Sequence, residues 1–435
     1  MSPGVLAHMQ HHRLCLPNGL RVVHVPMPAM GSVTVAVFVG LGSRYEPSGE
    51  AGSSHLIEHM LFKGTERRRS AAEISATLES VGGILNASTD KEATVYWAKV
   101  ASEHLELAVD LLADMLRNSR LSPAEVAKER RVILEELNML HDDPQDWVHV
   151  LADELLWPDH PVGREVAGTR ETVASIPRKT LRTYLDAYYG PNNAVVCVAG
   201  GVRPDEAVSL ISAKFGDWSP VPAPPPAETP ETMPGQRTRI EQKDTEQVNI
   251  CISYLGTSRA NPDRWALDVL CTALGGSSSS RLFVHLRERL GLAYDVQAYA
   301  NSLSDTGSIT VYAGTEQAKA ERVIEAILNQ VDRLRQRSIS AAELHKVKQY
   351  LRGRLWLGLE DSSAVASWFG GHELLQGEVI TPEHVADALD AVTVADVRRA
   401  ARIYLAPEDA RLAAVGPVSN IERKLGGRFA HQQET

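Results

Sequence analysis

Cysteine is scarce in this sequence: Cys15, Cys197, Cys251 and Cys271 stand far apart, and no two form a Cys-x-x-Cys pair. That excludes a disulfide framework and a zinc ribbon, and fits a reducing compartment. Long apolar runs are also missing. No stretch approaches the roughly 20 apolar residues of a membrane-spanning helix, and the opening "MSPGVLAHMQHHRLCLPNGL" lacks the basic region and apolar run of a secretory signal. The expected location is the cytoplasm, with no membrane partner. Positive charge is in deficit too. With 45 Lys and Arg against 55 Asp and Glu, the formal net charge is -10. This argues against nucleic acid or an anionic membrane surface, both of which require a basic face.

What is present is a globular composition, 43% hydrophobic and 23% charged over 435 residues, too long for one ordinary core. Proline concentrates in "WSPVPAPPPAETPETMPGQ", Trp218 to Gln236. Such a composition favours an extended, semi-rigid connection over a packed element. Residues 218–240 are therefore read as a linker between an N-terminal domain, 1–217, and a C-terminal domain, 241–435.

The two halves resemble each other. "SVTVAVFVGLGS" from Ser32 and "QVNICISYLGTS" from Gln247 are both alternating strands ending in a Leu-Gly turn. "ATVYWA" from Ala93 matches "ITVYAG" from Ile309, and "YYGPNNAVVCVAGGV" from Tyr188 matches "YLAPEDARLAAVGPV" from Tyr404. "LSPAEVAKERRVILEELNML" from Leu121 matches "ISAAELHKVKQYLRGRLWLG" from Ile339. Both open with serine and glutamate three residues apart, Ser122 with Glu125 and Ser340 with Glu343. That spacing is a capping box and predicts a helix start in each. The expected fold is α+β, in two homologous domains related by internal duplication, each a mainly antiparallel sheet packed against helices.

Chemistry concentrates in "SSHLIEHMLFKGT" from Ser53. On a helix starting near Ser53 or Ser54, His55, Glu58, His59 and Phe62 share one face while Leu56, Ile57, Met60 and Leu61 cover the rest. A glutamate on so apolar a helix needs a partner or a metal. Two imidazoles one turn apart reach a single ion, and the order His-x-x-Glu-His is the inverzincin pattern. Core histidines remain the alternative at this point. A third ligand would come from Glu125, Glu129, Glu135 or Glu136. Glu129 and Glu136 share a face seven residues apart, although a glutamate-rich helix also reads as a solvated stripe. The second half keeps the scaffold without these groups: apolar residues of "WALDVLCTALGG" stand at the histidine positions and Arg354 stands near that of Glu136.

Over nearly its whole length the sequence resembles the pitrilysin or insulinase family of zinc metallopeptidases, in particular the branch with the mitochondrial processing peptidase beta subunit and its bacterial relatives. The resemblance rests on "SSHLIEHMLFKGT", "GGILNASTDKEATVYW", "ERRVILEELNM" and "GGSSSSRLFVHLRERLGLAYDVQAY". It implies one zinc ion per chain held by His55, His59 and Glu136, Glu58 as general base and Glu129 in support of the site. It also implies peptide substrates added as a strand beside Asn86 and Ala87, and substrate contacts from Arg287 and Tyr294. Arg281 and Arg289 are read as solvated helix residues. The activity implied is that of an endopeptidase for short or unfolded peptides, as a homodimer or with a different partner chain. Two other readings compete: an inactive scaffold of a processing-peptidase-like complex, which would have lost its ligands, and a metal-dependent hydrolase of a non-peptide substrate.

Overall fold

The valine-rich segments become strands buried on both faces. In the computed structural model, which describes residues 9–230, 235–418 and 429, six strands make the first sheet. They are β1 (His12–Cys15), β2 (Arg21–Pro26), β3 (Ser32–Val39), β4 (Ile84–Thr89), β5 (Thr94–Ala101) and β6 (Ala194–Gly200), in the order β1-β2-β6-β3-β5-β4. Neighbours are antiparallel except β2 with β6. Val33, Val35, Val37 and Val39 of β3 enter one apolar core, whereas Ala36 and Phe38 enter another on the opposite face. Burial on both sides explains a strand with hardly a polar residue.

The first core is closed by helices α1 (Ser53–Leu61), α2 (Leu105–Asn118) and α3 (Pro123–Asp142). They contribute, among others, Leu56, Ile57, Met60, Leu111, Met115 and Ile133. Full burial of each such side chain contributes roughly 1.5–3 kcal/mol.

The outer face of each sheet is covered by a helix from the other half of the chain. Helix α4 (Pro144–Leu156) lays Val148, Leu151 and Leu155 on Cys251, Tyr312, Ala413 and Val415 of the second sheet. Helix α5 (Ser362–Gln376) lays Val365, Ala366 and Phe369 on Val23, Phe38 and Cys197 of the first. Backbone approach is so close there that a Cβ on Gly370 would stand 2.1 Å from Cε2 of Phe38, so only glycine fits. Two compact units result. One comprises Met1–Leu137, Glu165–Ala227 and Leu355–Val385; the other comprises Asn138–Arg164, Glu228–Arg354 and Ala386–Thr435.

The second sheet holds β7 (Thr238–Gln242), β8 (Val248–Leu255), β9 (Ala293–Ser302), β10 (Gly307–Thr315) and β11 (Arg411–Gly416), in the order β7-β11-β8-β10-β9. Its one parallel pair is β7 with β11. This reproduces β2-β6-β3-β5-β4 position by position, so the sequence repeats mark a true structural duplication. The fold is the two-domain α+β arrangement expected.

Two local expectations change. Ser340 Oγ does accept from the N–H of Glu343 at 3.1 Å. The Glu343 carboxylate, however, faces Arg281, taking hydrogen bonds of 2.7 Å from Nε and from an Nη. A bidentate guanidinium pair outcompetes a single backbone N–H, and Arg281 is therefore a paired residue rather than a solvated one. The proline-rich stretch is free of regular secondary structure from Trp218 to Pro230 but is anchored on the first unit. Asn192 exchanges side-chain hydrogen bonds with both backbone groups of Val221, and the Ala227 carbonyl accepts from Arg44 at 2.8 Å. Residues 231–234 of the expected linker lie outside the described residues, and β7 begins within its last residues. No described helix is long and apolar enough to cross a membrane.

Candidate metal centre

Helix α1 has no side-chain cap of its own. Its N-cap residue, Gly52, takes a left-handed φ of 93°, and a Cβ there would also meet the Ala167 carbonyl oxygen at 2.5 Å. The buried carboxylate of Glu46 replaces the cap, accepting from the N–H groups of Gly52 at 2.8 Å and Ser54 at 2.6 Å. A negative charge at this end also interacts favourably with the positive end of the helix dipole. With the start fixed, Leu56, Ile57, Met60 and Leu61 point into the core. The opposite face carries His55, Glu58 and His59, all half-buried.

Those histidines meet a carboxylate from α3. Nε2 of His55 lies 3.9 Å from Oε2 of Glu136, and Nε2 of His59 lies 3.7 Å from the same oxygen. Among the described residues, His55, His59 and Glu136 are the one group of three or more His, Cys, Asp or Glu residues whose ligand atoms all lie within 4.8 Å of one another. Such a triangle accommodates an ion about 2 Å from each atom. All three are partly buried, and Glu136 is the most accessible, its side chain 42% accessible against 19% and 17% for His55 and His59, so the site opens to solvent on that side. Burial, and the proximity of His59, bring the pKa of His55 down to about 4. His55 is thus neutral at pH 7, the state that coordination requires. The donor set fits a divalent transition-metal ion with a position left for water.

Behind the ligands stands Glu129, seven residues before Glu136 and only 2% exposed. One of its oxygens lies 3.2 Å from Nδ1 of His59, the other 2.9 Å from Nζ of Lys63. The Glu129 carboxylate accepts the hydrogen bond from Nδ1–H and so selects the tautomer whose Nε2 lone pair faces the ligand triangle. The i, i+7 relation of Glu129 and Glu136 thus brings both carboxylates to one histidine, one on each ring nitrogen.

Glu58 belongs to the same face without joining the ligand triangle. Its Oε2 accepts from the hydroxyl of Thr89 at 2.6 Å. Burial holds the Glu58 carboxyl above its ordinary pKa, opposed by the Thr89 hydroxyl and by His59. Thr89 ends β4, which is the edge of the first sheet. Asn86 and Ala87 lie on that edge strand, where β5 pairs with one side only. The N–H of Ala87 is taken by the Asn86 side chain, Oδ1 accepting at 2.8 Å, so this donor of the edge is satisfied internally.

Arg287 and Tyr294 belong to the second unit and come together there. Arg287 sits on a π-helix, Phe283–Arg289, with its guanidinium 4.9 Å from the ring centre of Phe283 and 5.0 Å from that of Tyr294. Tyr294 is 73% exposed. At the repeat position of α1, the second unit has helix Arg264–Gly275, which carries no histidine.

Three contributors escape sequence reasoning: Glu46, Lys63 and Thr89. For Lys63 a signal exists, since it follows His59 by four residues on the same face. Glu46 and Thr89 reach α1 from outside the helix, and no periodicity connects them to it.

Comparison with known proteins identifies the family. The family described as Insulinase (Peptidase family M16) matches residues 21–170, and the one described as Peptidase M16 inactive domain matches residues 175–351. An uncharacterized zinc protease of Mycobacterium leprae is 41% identical over 396 residues, covering 90% of this chain and 89% of that protein. The uncharacterized zinc protease YmxG of Bacillus subtilis is 37% identical over 409 residues, covering 94% and 99%. Among solved structures, a protease from Helicobacter pylori superposes with a TM-score of 0.90 at 26% identity, covering 94% of this chain and 100% of that one. Two matching domains in tandem and relatives aligned over nearly their full length lead to one conclusion: the chain belongs to the insulinase family of peptidases, family M16.

Proposed function

We propose that the chain is a zinc-dependent endopeptidase for short or unfolded peptides, with His55, His59 and Glu136 as ligands of one zinc ion and Glu58 as general base. One observation carries the proposal: three ligand atoms lie within 4.8 Å of one another, two of them on the helix face that also holds the half-buried Glu58. The names of the relatives, zinc proteases, support the choice of ion.

A zinc ion held there supplies Lewis acidity toward water and toward a peptide carbonyl. The rest of the chemistry belongs to the chain. Glu58 has Oε2 engaged by Thr89, so Oε1 is the oxygen that takes a proton from the attacking water and returns it to the leaving nitrogen. Glu129 holds the His59 ring so that Nε2 stays unprotonated. Edge strand β4 binds the peptide through main-chain hydrogen bonds, which favours extended segments over particular sequences. For that pairing the Asn86 side chain releases the Ala87 N–H. Arg287 and Tyr294 complete the proposed substrate contacts.

The test is an internally quenched, unstructured peptide offered alongside the same sequence embedded in a stably folded domain, with the products identified by mass spectrometry. Cleavage at internal bonds of the free peptide alone is expected. Release of terminal residues only, or no cleavage of either, contradicts the proposal.

A further inference from the structure

The edge strand and the glutamate next to the metal ligands are joined by a single side chain. Thr89 is the last residue of β4, and its hydroxyl proton goes to Oε2 of Glu58 at 2.6 Å. The direction of that bond is set by what lies behind it. Thr94, the partner of Thr89 in the β4–β5 ladder, is fully buried, and its hydroxyl donates to the Leu41 carbonyl at 2.8 Å while standing 3.4 Å from the Thr89 oxygen. Thr94 is thus anchored on β3's end of the sheet, and the Glu58 carboxylate is the strong acceptor open to Thr89.

The strand's alternation puts Leu85, Ala87 and Thr89 on its more buried face, with Asn86 and Ser88 outward. Thr89 therefore follows Ala87, where a peptide would pair, by two residues, or about 7 Å along the strand. The terminal torsion of a glutamate is broad and roughly two-fold. One short, charge-assisted hydrogen bond on Oε2 removes that freedom and leaves Oε1 in a single place.

We infer that Thr89 is a positioning residue that registers Glu58 against the peptide-binding edge, so that a peptide paired with β4 is aligned with the base through the same strand. This rests on the proposed endopeptidase function. Thr89 touches neither the ligands nor the peptide's reacting atoms. Its contribution is to the placement of the group that moves the proton, and placement errors near 1 Å cost on the order of a hundredfold in rate.

The experiment compares the full chain with Thr89→Val, which keeps shape and strand preference, and with Thr89→Ser, which keeps the hydroxyl. For each, kcat and KM are measured on the quenched peptide, cleavage sites are mapped by mass spectrometry, and zinc affinity is measured by chelator competition. In Thr89→Val, kcat should fall about 10- to 100-fold with KM and zinc affinity held within about twofold, and the cleavage sites should spread to neighbouring bonds. Thr89→Ser should recover most of the wild-type kcat and the wild-type cleavage sites. A Thr89→Val protein with wild-type kcat overturns the inference, as does a serine variant no better than valine. Loss of zinc in parallel with activity also overturns it, since the role would then be to shape the ligand set. If the wild-type chain cleaves no peptide, the proposed function fails and this role falls with it; if the wild type cleaves and only the Thr89 comparison is flat, the function stands and this inference alone is lost.

Discussion

Glu58→Gln is expected to lower kcat/KM for an unstructured peptide by about three orders of magnitude while leaving zinc content unchanged. Glutamine keeps the length and shape of the side chain, and its carbonyl oxygen still accepts the Thr89 hydroxyl, so the placement of the group survives. What is lost is the ability to take a proton at the second oxygen. None of the three ligand atoms belongs to Glu58, and the apolar face of α1 remains untouched, so neither metal binding nor the core should respond. The measurement pairs steady-state kinetics with metal analysis of the same preparation. A variant retaining a tenth or more of wild-type activity would remove Glu58 from the role of base. A variant that loses its metal would make Glu58 part of the coordination sphere.

The second large effect is on metal affinity, and it separates two glutamates on one helix. Glu136→Ala removes a ligand, leaving two imidazoles, and should weaken zinc binding by more than about a hundredfold. Glu129→Gln leaves all three ligands but replaces the carboxylate on Nδ1 of His59 with an amide. It should weaken binding by about 10- to 100-fold, as loss of an outer partner does. Geometry sets that order, because Glu136 faces both Nε2 atoms whereas Glu129 is buried behind the ring against Lys63. Competition against a chromophoric chelator gives both dissociation constants. Should Glu129→Gln bind zinc less tightly than Glu136→Ala, the two roles would have to be exchanged.

Much of this site was legible before any coordinate, and the reasons are local. The one-turn spacing of His55 and His59 and the two-turn spacing of Glu129 and Glu136 are helical periodicities, so a sequence reports them directly. The duplication was legible because each half repeats its strands and turns in order, and the shared strand order bears that out. The exchange of outer helices was not. A helix such as α5 shows an apolar face, but nothing in its pattern says which sheet it covers, and the covered surfaces, Phe38 and Cys251 among them, look alike in either half. Glu46 and Thr89 were missed for a related reason: they act on α1 from a turn and a strand that only the fold brings near. Arg281 was misjudged because an arginine on a helix looks solvated until a carboxylate 62 positions away closes on it.

The proposed function turns on a requirement for one zinc ion at His55, His59 and Glu136 in peptide cleavage. Its most direct test is a zinc titration of metal-stripped protein, with activity on the quenched peptide followed at each addition. Activity should be absent at the start, rise linearly and stop rising at about one zinc per chain, with no such rise in the Glu136→Ala variant over the same range. Full activity in the stripped wild-type protein, or a rise that is the same without Glu136, would rule out a zinc requirement at these residues.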